Sequence, residues 1–289
     1  MGPSDASTGP GRRAGRGIAR SGARALRAFW ARAYVRVVAA NRDLSWILFD
    51  VALPVLGTAA YVFVYRSLRA PEAYLGFVTI GGAMTAYWLN VLWSMASQLF
   101  WEKQSGNLEA YIVAPAPMMA ILAGMATGGL FMTTIRAVVI VAVAVAWFRI
   151  PLVAVDPAGV AAAFVVSMVG LYGLGMSLSS AFLLHGREAW HLSNLMQEPV
   201  YLLSGFFFPV RALGFWVSVA ASIVPLTLGM DAMRQGLYGP EAAMALLPLR
   251  VELAILAVLA IVFLLAAWWL LRVMERLARR EGRLTLRWQ

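Results

Sequence analysis

The sequence predicts an all-α membrane protein whose chain crosses the bilayer six times. Three observations carry that prediction. Of 289 residues, 61% are hydrophobic and 13% charged, and the mean hydropathy is +0.74. Soluble domains hold about 45–50% apolar and about 25% charged residues. The apolar residues fall in long runs, and a spanning helix needs about 20 of them. The net charge of +10 is confined to the ends of the chain. Residues 1–50 carry nine Arg against Asp5, Asp43 and Asp50, and residues 272–289 carry six Arg against Glu275 and Glu281. The body between them balances eight Arg and Lys103 against nine acids. Basic residues stay on the cytoplasmic side of a membrane. Both termini are therefore expected in the cytoplasm, which makes the number of crossings even.

The elements follow in order. Residues 1–17 are Gly, Ser, Pro and Arg and read as a disordered basic tail with no secretory signal. Residues 18–43 are assigned to an interfacial amphipathic helix. At about 100° per residue, Arg13, Arg16, Arg20, Arg24 and Arg27 fall in an arc of about 80°. Ile18, Leu26, Phe29, Trp30 and Val37 fall in a separate arc of about 120°. Such a helix lies in the headgroup plane, its apolar side in the acyl boundary. Membrane lipid is the expected partner of the arginines, and nucleic acid is not.

Spans are predicted at about 46–65, 73–101, 118–148, 158–184 and 251–271. The region 189–230 is ambiguous. Leu192–Pro209 is apolar but holds Glu198 and Pro199; Ala212–Met230 is uncharged but holds Gly214, Pro225 and Gly229. Parity allows one of them to cross, and the other can turn back only where protein or water satisfies its backbone. Residues 278–289 form a second basic tail.

Several chemistries are excluded. The chain has no cysteine, so disulfides, thiol catalysis and cysteine metal sites are out. His185 and His191 are too few for a histidine-built metal centre. A P-loop needs Gly-x-x-x-x-Gly-Lys-Ser/Thr, and the one lysine, Lys103, is followed by Gln104. Any ATP-driven activity must draw its ATP site from another chain. No nucleophile or acid–base pair stands out for the competing readings, an intramembrane lipid-acting enzyme or a scaffold.

Two motifs remain. The loop after the second span reads Trp101-Glu-Lys-Gln-Ser-Gly-Asn-Leu-Glu-Ala-Tyr-Ile-Val-Ala-Pro115. A later stretch reads Leu203-Ser-Gly-Phe-Phe-Phe-Pro209, followed by Trp216 and Ile223-Val-Pro-Leu-Thr227. In this order and spacing they resemble the permease subunits of type-2 ABC transporters, the bacterial drug, lipid and polysaccharide exporters. That family's first cytoplasmic loop reads roughly Glu-x-Glu-x-Gly-Thr-Leu-Glu with a Pro beyond. Glu102, Gly106, Leu108, Glu109 and Pro115 match, while Gln104 and Asn107 depart. Its later motif is matched by Ser204, Gly205, Phe208, Pro209, Trp216, Pro225, Leu226 and Thr227, with Gly214 and Val224 departing. The resemblance covers about residues 25–277.

The resemblance implies a transmembrane domain at 44–277, a connecting helix before it and a coupling helix in the first cytoplasmic loop. It also makes 192–209 the crossing segment and 212–230 a re-entrant helical pair. The implied function is export by alternating access, in a permease dimer with two P-loop ATPase subunits that bind ATP and Mg. Glu102, Lys103, Gly106, Leu108 and Glu109 would form the coupling surface. The two acids, seven apart, would share one helix face and meet basic groups of the ATPase. Ser204, Gly205, Phe208, Pro209, Trp216 and Pro225 would form the re-entrant gate. Asn90, Gln98, Arg136 and Glu198 are the intramembrane polar groups, which are functional candidates by default. Asn90 and Gln98 are eight apart, two turns on one face. Glu198 and Asp50 are candidate partners of Arg136. An amphipathic or hydrophobic substrate fits the apolar spans, with polysaccharide or glycolipid the alternative.

Overall fold

The computed structural model describes residues 10–40, 44–150, 154–185, 188–241 and 243–281. Among these the secondary structure is entirely helical. In order come α1 (Pro10–Ala40), α2 (Leu44–Ser67), α3 (Glu72–Leu89), α4 (Gln98–Gln104) and α5 (Asn107–Val113). There follow α6 (Met118–Phe148), α7 (Pro157–His185), α8 (Glu188–Leu203), α9 (Phe215–Ala221), α10 (Pro225–Tyr238) and α11 (Leu249–Glu281). A π-helical turn, Asn90–Met95, joins α3 to α4, and a 3₁₀ turn, Val210–Leu213, precedes α9.

Among the described residues, four helical stretches are long and apolar enough to cross a membrane: Tyr74–Gln104, Met118–Phe148, Pro157–Leu183 and Leu249–Leu277. A fifth is added if α9 and α10, bent by 109° across their junction, count as one broken span. The six crossings expected from parity therefore do not all have a long apolar helix. In α2 the apolar stretch is Val51–Ser67. The segment 192–209 is helical only to Leu203; at ~1.5 Å per residue the 16-residue α8 is short for a core ~30 Å thick.

Both chain ends are more helical than composition suggested. α1 starts at Pro10, inside the stretch assigned to a disordered tail. Pro suits the first helical turn, and Arg and Ala are strong helix formers, so an Arg-Ala-Gly segment need not stay unfolded. Residues 1–9 lie outside the described chain. α11 runs to Glu281, past 271, and residues 282–289 lie outside. The side chains of Arg13, Arg16, Ile18, Arg20 and Asp50 are also outside the description.

The core lies where α3, the π turn, α6, α7 and α10 meet. Trp88, Val91, Leu92, Leu122, Leu171 and Leu226 are buried there. α7 packs along both α10 and α11, and α1 lies along α6. The outer faces are apolar: Phe131, Ile135 and Val138 on α6 and Val258, Ile261, Leu265 and Trp269 on α11 are exposed.

Candidate functional site

The densest polar node sits where α4 ends. Glu102 is 8% exposed and accepts four hydrogen bonds. Arg32 Nη2 and Gln98 Nε2 donate to Oε1 at 2.9 and 2.8 Å. Asn107 Nδ2 and Tyr111 Oη donate to Oε2 at 3.0 and 2.7 Å. The Arg32 guanidinium also lies 4.6 Å from the centre of the Tyr111 ring. Burial, with the Glu102 carboxylate beside it, pushes the Tyr111 phenol up. It therefore stays protonated and donates. One carboxylate thus ties three elements together: α1 through Arg32, α4 through Gln98, and α5 through Asn107 and Tyr111.

The loop is folded as two short helices rather than one. Gly106 adopts φ 75°, a left-handed conformation that only Gly takes without cost, and it separates α4 from α5. This overturns the expectation that Glu102 and Glu109 share a helix face. Glu102 points inward to Arg32, whereas Glu109 is exposed and Lys103 half-buried. Leu108, 1% exposed, anchors α5 in the core.

Arg32 belongs to a third face of α1. Leu26, Trp30 and Tyr34 point outward. Arg32, Ala33 and Arg36 face α6 and the end of α4. The approach is close because α6 carries glycine there. A Cβ added at Gly124 would collide with the Phe29 carbonyl, and one at Gly128 would stand 2.7 Å from the Ala33 oxygen and 2.8 Å from Arg36 Cβ. Small residues at this spacing let helices approach backbone to backbone. Burial lowers the pKa of Arg36, and the neighbouring Tyr172 and Glu102 partly offset that effect.

The second motif forms a sunken loop. α8 stops at Leu203, and Gly205 turns the chain at φ 73°. Ser204 and Phe206 are buried and Phe208 is half-buried. The loop's carbonyls point into the protein and find donors there. Arg234 Nη2 donates to Phe206 O at 3.0 Å and to Phe77 O at 3.1 Å. Tyr65 Oη donates to Phe207 O at 2.8 Å. Arg234 is fully buried and stacks 4.9 Å from the Phe77 ring. Pro209 precedes the 3₁₀ turn, and Pro225 begins α10, where Pro suits the first turn. Trp216 on α9 is 80% exposed.

The polar residues expected within the membrane do not converge. Asn90 accepts from Tyr172 Oη at 2.9 Å, whereas Gln98 belongs to the Glu102 node. They do not share a face as an eight-residue interval predicts. The π turn lies between them, closed by Ala96 N donating to Val91 O at 2.8 Å, and the wider turn shifts the helical phase. Arg136 is half-buried, near enough to Arg36 and Tyr172 to influence them. Glu198 is exposed and accepts from Gln197 Nε2 at 3.2 Å; among the described residues it makes no ion pair with Arg136. Asp50, the other candidate, has its side chain outside the description.

Sequence reasoning missed Arg32, Arg36, Tyr111 and Tyr65, and gave Arg234 no role. It also missed the tie beneath α10. There Gln235 Nε2 donates to Glu252 Oε2 at 2.8 Å, and Leu246 N donates to Asp231 Oδ2 at 2.8 Å. Arg32 and Arg36 carried a usable signal, since at i and i+4 they leave the arginine arc of α1. Among the described residues no three His, Asp or Glu side chains gather as metal ligands would.

Comparison with known proteins agrees with the two-motif reading. Residues 25–238 match the family described as ABC-2 type transporter. The chain is 24% identical over 256 residues to the inner membrane transport permease YadH of Escherichia coli K12, covering 86% of this chain and 94% of that protein. It is 27% identical over 147 residues to the probable multidrug ABC transporter permease YbhR of the same strain, covering 50% of this chain and 38% of that one.

Proposed function

The chain belongs to the ABC-2 type transporter family and is a permease subunit of an ABC transporter, and from that premise we propose that it forms half of an exporter's translocation path. Permeases of this kind are transport components whose ATP hydrolysis occurs in separate ATPase subunits. In our reading two permease copies, or this chain and a paralogue, enclose the path and alternate its access. Two P-loop ATPase subunits bind ATP and Mg and drive the change. The substrate is an amphipathic or hydrophobic molecule such as a drug, antibiotic or lipid. The apolar spans and the relative named as a multidrug permease support that choice over polysaccharide.

We place six crossings at α2, α3 with α4, α6, α7, α8 and α11. The pair α9 and α10 dips in and returns, a reading supported by the 109° bend. Both termini then lie in the cytoplasm, as their arginines favour, and the membrane is the bacterial inner membrane, as for the YadH relative.

The observation that carries the mechanism is the Glu102 node. An ATPase on the cytoplasmic side moves the spans only through a contact surface. The α4–α5 segment is such a surface, with Glu109 and Lys103 available on its outside. Because Glu102 fastens it to Arg32 of α1, a push on the segment is shared with α1 and so with α6. The test is co-expression with candidate P-loop ATPases, followed by co-purification, ATP hydrolysis and uptake into inverted vesicles. Association that Glu109→Lys weakens, with ATP-dependent accumulation inside the vesicles, supports the reading. Failure to bind any ATPase overturns it.

A further inference from the structure

A cavity of about 260 Å³ opens between α2, α3, α8 and the sunken loop, lined by Tyr61, Thr85, Glu198, Tyr201, Phe207 and their neighbours. Its composition is specific: one carboxylate among aromatic rings. Glu198 and Tyr201 stand one turn apart on α8, so they share a face. Tyr61 and Phe207 form one wall, their rings stacked at 3.8 Å with an interplanar angle of 12°. Tyr201 packs edge-on against Phe206 at 5.0 Å, which fixes its ring.

Glu198 is held in place but not neutralised. Trp93 Nε1 donates to Gln197 Oε1 at 2.6 Å, and Gln197 Nε2 donates to Glu198 Oε1 at 3.2 Å. No Lys or Arg among the described residues forms an ion pair with Glu198. Glu198 is exposed, and in the permease reading, where α8 crosses the bilayer, an exposed carboxylate is costly unless something compensates its charge. An anionic occupant would add to that cost. A neutral sugar would leave the Glu198 charge uncompensated, and the Thr85 hydroxyl already donates to Gly81 O. A cation satisfies both features of the wall, since aromatic faces attract positive charge and Glu198 supplies the counter-ion.

We infer that this cavity is a binding subsite for a small organic cation, an aryl or alkyl ammonium, with Glu198 as counter-ion and Tyr61, Tyr201 and Phe207 as the aromatic wall. The inference rests on the permease reading, in which α2 and α8 border the path, and it narrows the amphipathic substrate to cationic ones.

The test uses the full chain in phosphatidylcholine nanodiscs and radiolabelled phenyltrimethylammonium, read by equilibrium dialysis. Saturable binding is expected. Unlabelled cation should displace it, and benzenesulfonate or phenyl glucoside should not. Glu198→Gln should weaken it about tenfold or more, and Tyr201→Leu by a smaller factor. Glu198→Asp should keep part of it, and Glu241→Gln, in an exposed loop, should leave it unchanged. Circular dichroism confirms that each variant is folded. Absence of saturable binding, equal affinity in Glu198→Gln, or displacement by benzenesulfonate or phenyl glucoside overturns the inference. If the cation does not bind but the chain still transports with an ATPase, the subsite falls and the permease function stands. If the cation binds but no ATPase associates, the permease function falls instead.

Discussion

Arg32 Nη2 stands 2.9 Å from Glu102 Oε1, joining α1 to the end of α4 across 70 residues of sequence. A carboxylate has about four lone-pair sites, and Gln98, Asn107 and Tyr111 take the others. Glu102 therefore has no acceptor left for a basic group on another chain. Its work is internal: it holds the α4–α5 segment against α1. In the permease function proposed above, contact with an ATPase falls to the residues left outside, Glu109 and Lys103.

The first prediction concerns this tie. Glu102→Ala leaves the Arg32 guanidinium and the Tyr111 hydroxyl without their acceptor. Loss of a largely buried, charge-assisted network should cost about 2–4 kcal/mol, read as a lower melting temperature in detergent. Arg32→Ala should cost less, because the three other donors remain. In a double-mutant cycle the two changes should couple by about 1–3 kcal/mol. A coupling near zero would mean that the ion pair does not hold α1 to the loop.

The second prediction separates docking from folding. Glu109 is exposed. Glu109→Lys should therefore alter stability by no more than about 0.5 kcal/mol. It should still weaken association with the partner ATPase, and Lys103→Glu should act in the same direction. Pull-down of the ATPase beside a melting curve of the permease alone distinguishes the two effects. A Glu109→Lys protein that melts early would place Glu109 in the fold instead.

What the sequence made legible follows physical range. Hydropathy located α6 and α7 to within a residue of each end, because a long apolar run is a local property. The two motifs identified the segments around Glu102 and Ser204, because they are contiguous. What the motifs could not give was partner or phase. Glu102 read as a surface acid because its main partner is 70 residues away. Asn90 and Gln98 read as one face because a π turn leaves no mark in a regular periodicity. Arg234 was given no role because its acceptors are backbone carbonyls of Phe77 and Phe206, which no side-chain pattern encodes.

The third prediction tests the seat of α1. At Gly128 a methyl group would stand 2.7 Å from the Ala33 oxygen, so Gly128→Ala must separate α1 from α6. Overpacking of this kind costs about 1–3 kcal/mol. Limited trypsin digestion should then cut the arginines of α1 sooner. Gly57 has open space where its Cβ would go, so Gly57→Ala should be neutral or gain about 0.5–1 kcal/mol from helix propensity. Equal behaviour of the two variants would show that α1 does not depend on the glycine seat.

The last prediction addresses one oxygen atom from two sides. The Phe206 carbonyl accepts from Arg234 Nη2 at 3.0 Å, and a Cβ at Gly81 would collide with that same oxygen. Gly81→Ala pushes the carbonyl away while leaving the donor in place. Arg234→Met removes the donor while leaving space for the carbonyl. Phe77 O, the other acceptor, lies inside α3 and keeps its helical partner, so the loss falls mainly on Phe206. Each substitution should lower stability by about 2–4 kcal/mol, the cost of a buried polar group left unpaired. Because both act on one contact, the double variant should fall clearly short of the sum. A fully additive result, measured by thermal melting of the four proteins, would show that Gly81 and Arg234 support the Ser204–Pro209 loop independently.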